Sequence, residues 1–198
     1  MYKLLLLAVL VSVNCVAQSQ SQLTWQTGIA LGNANFSYDY IENNKVYSDS
    51  QNRFAGKVFA AYQVIPYVFV RADLASLGRY GHFWYQDVRH MHLISLSASL
   101  ELQYPLADTG LSLQASAGGG MLQFSDFAYF DGDDYYDNTS RGLKVLGLGV
   151  SYQTPAMNGV SVGLSFERRF LDTNFNFGKQ RVDLHKIDNI WISGRYNF

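Results

Sequence analysis

The sequence predicts an all-β protein: an eight-stranded antiparallel up-and-down transmembrane β-barrel. Three observations predict it. The first is period-two alternation over long segments. From His92 to Tyr104, the residues His92, Ile94, Leu96, Ala98, Leu100, Leu102 and Tyr104 form one face, and Leu93, Ser95, Ser97, Ser99, Glu101 and Gln103 form the other. Successive side chains of a strand point to opposite faces, so this segment is a strand with one apolar and one mostly polar side. The second is the nature of the polar side, which is small (Ser, Gly, Gln) with isolated charges. Small polar residues suit the crowded inside of a narrow barrel, and the apolar side then faces lipid. The third is that short and long connections alternate along the chain, as they do in bacterial barrels with short periplasmic turns and longer outer loops.

Composition agrees. The chain has 198 residues, 48% hydrophobic and 15% aromatic, with 17 Gly, 14 Tyr, 13 Phe and only three Pro. That is one domain's length and too apolar for a disordered chain. The formal net charge is -1 and no basic tract stands out, which argues against a nucleic-acid partner. Beyond the N-terminus no apolar run is long enough for a membrane helix.

The elements follow in order. Residues 1–17 read as a signal peptide that is removed: Lys3 supplies a positive charge, Leu4 to Val13 is apolar except for Ser12, and Cys15-Val16-Ala17 places small residues at a cleavage site. The barrel domain is then 18–198. Cys15 is the single cysteine, so the mature chain has no disulfide. The rival reading, a lipoprotein anchored through Cys15, is disfavoured by Asn14, where a small residue is required. The eight strands are expected at 23–38, 52–64, 67–78, 90–104, 111–124, 141–153, 159–170 and 187–198. Such lengths exceed the five or six residues, roughly, of an ordinary soluble sandwich strand. Val64 to Pro66, Pro105 to Gly110 and Thr154 to Gly159 are the short turns, and they take Pro66, Pro105 and Pro155. Proline there removes no ladder hydrogen bond. Long polar loops are expected at 39–51, 79–89, 125–140 and 171–186. Tyr62, Tyr104, Tyr152, Tyr196 and Phe198 lie near the short-turn ends and form an interfacial aromatic girdle.

The C-terminal Gly194-Arg195-Tyr196-Asn197-Phe198 resembles the terminal signal of bacterial outer-membrane barrels. Tyr62-Gln63-Val64-Ile65-Pro66-Tyr67 and Ala72-Asp73-Leu74-Ala75-Ser76-Leu77-Gly78 resemble strands two and three of the small OmpA-like barrel family. The pattern covers the mature chain and is most similar to the barrel-only members of the Ail/OmpX type. The resemblance implies the bacterial outer membrane as location, and outer-membrane lipid and lipopolysaccharide as surroundings. It also implies the barrel-assembly machinery as the reader of Tyr196 and Phe198. Such members include structural proteins, adhesins, narrow channels and a few enzymes, so the resemblance implies no single activity.

The alternation turns Lys57, Arg71, Asp73, Glu101, Glu167, Arg169 and Arg195 inward. Buried charges must pair. Heights along neighbouring strands predict the pairs Arg71–Glu101 and Lys57–Asp73. Filled in this way the interior is a polar plug; left open it would be a narrow pore for small solutes. On the outer face Lys144 and Arg168 interrupt the apolar stripe near the upper interface, as contacts for lipopolysaccharide phosphates or as cations snorkelling without a specific partner.

The third long loop contains Asp131, Asp133, Asp134, Tyr135, Tyr136 and Asp137, and five Asp and six aromatics fall between Phe124 and Asn138. It is a candidate binding surface, since aromatics give contact area at low entropy cost. The aspartates could ligate calcium, but their spacing departs from the known calcium loop, and a solvated acidic hairpin is the default. His90 and His92 share a face and His82 could join them as a metal ligand, but girdle positions explain them as well, and neither a metal site nor a cofactor is expected. Hydrolysis would need a nucleophile, His and an acid at the upper rim. Ser76, Ser95, Asp87, His82, His90, His92 and His185 are the available residues, no nucleophile motif joins them, and Ser95 faces away from His92. The expected protein is a non-catalytic monomer that serves envelope integrity or surface recognition through its long loops.

Overall fold

A computed structural model describes residues 24–42, 45–84, 87–130, 133–153, 158–177 and 180–198. Within the strands it leaves aside the side chains of 40–42, 80–84, 87–91, 125–130, 133–139, 172–177 and 180–182. The leader 1–17, Asp131, Tyr85 and Pro155 lie outside the described residues. Eight antiparallel strands close into a barrel in chain order: β1 Trp25–Glu42, β2 Lys45–Ile65, β3 Val68–Trp84, β4 Asp87–Pro105, β5 Leu111–Phe130, β6 Asp133–Gln153, β7 Val160–Phe177 and β8 Gln180–Asn197. Closure is between β1 and β8, from Gln26 opposite Asn197 to Ile41 opposite Arg181. No edge is left unpaired, which a sheet in lipid requires.

The strands are longer than the alternation predicts. All four segments expected as long loops continue the ladders: Glu42 pairs with Lys45, Trp84 with Asp87, Phe130 with Asp133 and Phe177 with Gln180. The physical reason is that the apolar stripe marks only the part of a strand that meets lipid. Beyond the membrane both faces meet water, backbone pairing continues, and the period-two signal fades. Pro105 also moves: it is the last residue of β4, opposite Ser112, rather than part of the turn. The turn itself is a short 3-10 segment Ala107–Thr109 closed by Gly110 in the left-handed region, with φ of 74°.

The small residues on the inward face are a consequence of space. A Cβ on Gly118 would lie 2.1 Å from the Ala98 carbonyl oxygen, and one on Gly120 equally near that of Leu96. In β3 the register shifts between Ser76 and Gly78, and Gly78 takes a φ of 97° where a Cβ would meet Arg53 and Phe54. Only glycine enters that conformation without strain.

Candidate functional site

The inside of the barrel holds two stacked layers. In the lower layer the seven predicted inward charges all lie within, each 6% exposed or less. Glu101 on β4 accepts from Arg71 Nη1 at 2.5 Å, Arg195 Nη1 at 2.6 Å and Gln103 Nε2 at 2.7 Å. Gln103 in turn exchanges hydrogen bonds with Gln26, and Arg195 Nη2 donates to Gln114 at 2.8 Å. Asp73 accepts from Arg71 Nε at 2.9 Å and Nη2 at 2.6 Å. Glu167 on β7 accepts from Lys57, from Arg169 Nη2 at 3.1 Å and from Trp191 Nε1 at 2.9 Å. Arg169 also donates to Asn189.

The expected Arg71–Glu101 pair is therefore present. The expected Lys57–Asp73 pair is a longer contact of 3.7 Å, because Lys57 reaches across the bore to Glu167 instead. Strand-neighbour reasoning sees β2 beside β3. It does not see that β7 stands opposite in a bore only a few side chains wide. Three carboxylates thus serve four cations, and two aromatic rings share the excess. Phe59 has Arg71 Cζ 4.2 Å and Arg195 Cζ 5.3 Å from its centroid; Trp191 has Lys57 Nζ at 4.7 Å and Arg169 Cζ at 5.8 Å. A cation within about 6 Å of a ring face is attracted by its quadrupole. A void of about 10 Å³ remains between Arg71, Glu101, Gln114 and Glu167, room for no more than about one water.

The upper layer is apolar, a departure from the polar plug expected. Phe36, Leu77, Leu93, Leu122, Phe124, Leu143, Val145, Leu171, Leu184 and Ile187 are buried in one cluster above the charges. The inward position of each strand changes character on the way up, from Ser95 to Leu93, from Gly147 to Val145 and from Asn189 to Ile187.

The outer wall carries the opposite pattern. Ile29, Leu31, Val58, Leu74, Leu100, Leu148, Leu164 and Ile192 are more than half exposed. A belt of this size around a charged interior is not a soluble surface. At its lower edge Trp25 meets Tyr62 at 4.8 Å, Tyr67 meets Tyr104 at 6.1 Å and Tyr196 meets Phe198 at 4.9 Å, edge-on. The sequence profile of the outer membrane protein beta-barrel domain family matches residues 4–198. The chain belongs to that family. It is a small β-barrel protein of the bacterial outer membrane.

Solved barrels of the same fold are similar over almost their whole length. Neisserial surface protein A has a TM-score of 0.55 at 15% identity, covering 91% of this chain and 100% of its own. OprG of Pseudomonas aeruginosa has 0.55 at 13%, covering 91% and 99%. Ail of Yersinia pestis, solved with the heparin analogue sucrose octasulfate, has 0.52 at 16%, covering 88% and 99%. At these identities the likeness is one of fold. No curated protein matches the chain by sequence.

Among the described residues, the remaining candidates are not brought into one site. Arg168 is outside, as expected, but its guanidinium is already held by Asp188 of β8, Nε to Oδ1 at 2.6 Å and Nη2 to Oδ2 at 3.0 Å. The sequence reading does not foresee this partner. Lys144 is exposed, opposite Gly119 and Phe170. Tyr196 and Phe198 lie on the outer wall, and the Phe198 backbone N–H donates to Trp25 O at 2.9 Å. Asp133, Asp134, Tyr135, Tyr136 and Asp137 belong to the upper end of β6, and their side chains, with Asp131, lie outside the described residues. The side chains of His82, His90 and Asp87 do so too. His92 Nε2 is 3.1 Å from Ser76 Oγ on the outer wall, and no acid from the described residues completes that pair. Among the described residues no three His, Cys, Asp or Glu side chains converge as metal ligands.

Sequence reasoning missed Trp191, Asn189 and Phe59 as members of the charged layer, and Asp188 as the partner of Arg168. All four sit in phase with residues it had assigned to the right face, so strand parity alone could have found them.

Proposed function

We propose that this outer-membrane barrel is non-catalytic, that it acts as a closed structural element of the envelope, and that it meets surface partners through the strand pairs that rise above the membrane. One observation carries the reading: a charged layer in which each of the seven charges has an ion-pair partner lies directly beneath an apolar layer across the same bore. Each blocks a different kind of passage. Ions do not enter the apolar layer without losing hydration, and apolar solutes do not enter the charged layer. The extended strands supply a rigid base for recognition, since functional loops work best when held by a fixed scaffold. Tyr196 and Phe198 serve as the assembly signal, and the apolar belt, interrupted by few charges, suits a monomer among lipids.

The test is electrical. The mature chain is refolded into planar bilayers, its folded state is verified by heat-dependent gel mobility, and single-channel current is recorded. Silence is expected. Reproducible conductance steps would replace this reading with a narrow channel for small solutes. Deletion of the gene should in parallel raise sensitivity to detergent without changing lipid A mass. A changed lipid A mass would instead make the Ser76–His92 pair part of an enzyme.

A further inference from the structure

The lipid-facing wall is not smooth. A furrow of about 520 Å³ crosses β3 to β7, with Ala115 and Ala117 as its floor, Leu102 and Leu148 as flanks, and Phe166, Arg168 and Phe170 at its β7 end. The floor is low because β5 places Ala115 and Ala117 where the neighbouring strands place Leu102 and Leu148, and Leu100 and Leu146. One cross-strand row of the barrel runs Gly119, Lys144, Phe170, Lys186. Lys144 and Lys186 therefore flank Phe170 with backbones about 10 Å apart, two strand spacings. Neither lysine has an ion pair among the described residues, whereas Arg168, one step lower, is occupied by Asp188.

Height decides which lipid this is. Lys144 stands nine residues up β6 from Gln153. At a tilt of about 40° each residue adds about 2.5 Å along the membrane normal, which places Lys144 about 22 Å up. The apolar band of such barrels is about 25 Å tall, so the lysines lie at its outer boundary. The furrow begins at Phe170, between the two lysines, and runs down the wall past Ala117 to Ala115 and Leu102.

We propose that this furrow and the Lys144–Lys186 pair form a seat for one molecule of the phosphorylated, acylated glycolipid of the outer leaflet. An acyl chain lies along Ala115 and Ala117, and a phosphate is held between the two ammonium groups. The chemistry matches at both ends. The furrow is lined mostly by apolar side chains, with Arg168 at its β7 end already held by Asp188, and paired cations at a membrane boundary favour an anionic headgroup. The proposal rests on the outer-membrane location and not on the closed interior, so a conducting barrel would leave it standing.

The experiment uses the full mature chain folded into phosphatidylcholine vesicles that contain either lipid A or phosphatidylglycerol, followed by native mass spectrometry of the released barrel. Wild type, Lys144→Ala with Lys186→Ala, Ala117→Leu, and Lys45→Ala as a charge control distant from the furrow are compared, each verified as folded by gel mobility. One retained lipid A is expected on wild type and on Lys45→Ala. Retention should fall about tenfold in the double lysine variant, the loss of one charge-assisted contact or more. It should also fall in Ala117→Leu, which fills the floor and keeps both charges. Wild-type retention in either variant overturns the seat, and equal retention of phosphatidylglycerol overturns the choice of the glycolipid.

Discussion

The lower and upper halves of the bore fill the same width with opposite chemistries. Below, seven charges, two aromatic rings and several amides form one network of hydrogen bonds, ion pairs and cation–ring contacts. Above, ten or so apolar side chains pack as in the core of a soluble protein. The difference teaches where each kind of filling is sensitive. A charged network is strongly penalised when one member leaves, because its partners stay buried and bare. An apolar layer loses contacts in proportion to the cavity made.

That contrast gives a graded set of expectations. The largest effect should come from Glu167→Ala, which strands Lys57, Arg169 and the Trp191 N–H together; unfolding in denaturant should show a loss of about 3–5 kcal/mol. Leu122→Ala, in the upper layer, should cost about 3 kcal/mol in the same measurement. Neither variant alone should conduct, because the other layer remains; the two combined should give a leak in planar bilayers. Conductance from Leu122→Ala alone would show that the charged layer does not seal. Trp191→Phe keeps a ring beside Lys57 and Arg169 but removes the donor to Glu167, and should cost about 1–2 kcal/mol. Outside both layers, Asp188→Ala frees the partly exposed Arg168 and should leave the unfolding transition almost unchanged, the smallest of these stability effects.

The smallest effect lies above the membrane. Asp39 accepts hydrogen bonds from Ser48 at 2.6 Å and from His185 at 3.0 Å, and both hold its carboxyl below the usual carboxylate range. A depressed carboxylate stabilises the fold at pH values above its unfolded pKa, and that contribution disappears as pH falls through the folded one. Acidification beneath the ordinary carboxylate range should therefore loosen the β1–β2 and β1–β8 contacts locally, read as changed amide signals around Asp39 while those of β4 and β5 hold still.

Within the membrane the sequence was readable because lipid and bore impose opposite demands on alternate residues. Lys57 and Glu101 announce themselves as inward charges for that reason. Their partners were less readable: Lys57 and Glu167 are 110 residues apart and meet only because the sheet closes. Above the membrane the demand vanishes, so the upper parts of β2 and β6 look like loops. The apolar upper layer had a signal that was passed over. In the inward phase, Ser97 and Ser95 give way to Leu93, and Gly118 and Gly120 to Leu122 and Phe124. The furrow was hidden for another reason: alanine among leucines reads as apolar either way, and only the three-dimensional wall shows that it is low.

The wiring of the charged layer also bears on how the chain is put together. Its first four strands carry Lys57, Arg71, Asp73 and Glu101, which balance in sign, yet Glu101 receives Arg195 and Lys57 receives Glu167 from the last two strands. A half-inserted sheet would hold these groups against lipid with their partners still outside. The network is complete only when β7 and β8 are in place and the ring is shut. The partners of Lys57 and Glu101 thus come from β7 and β8, far along the chain from both.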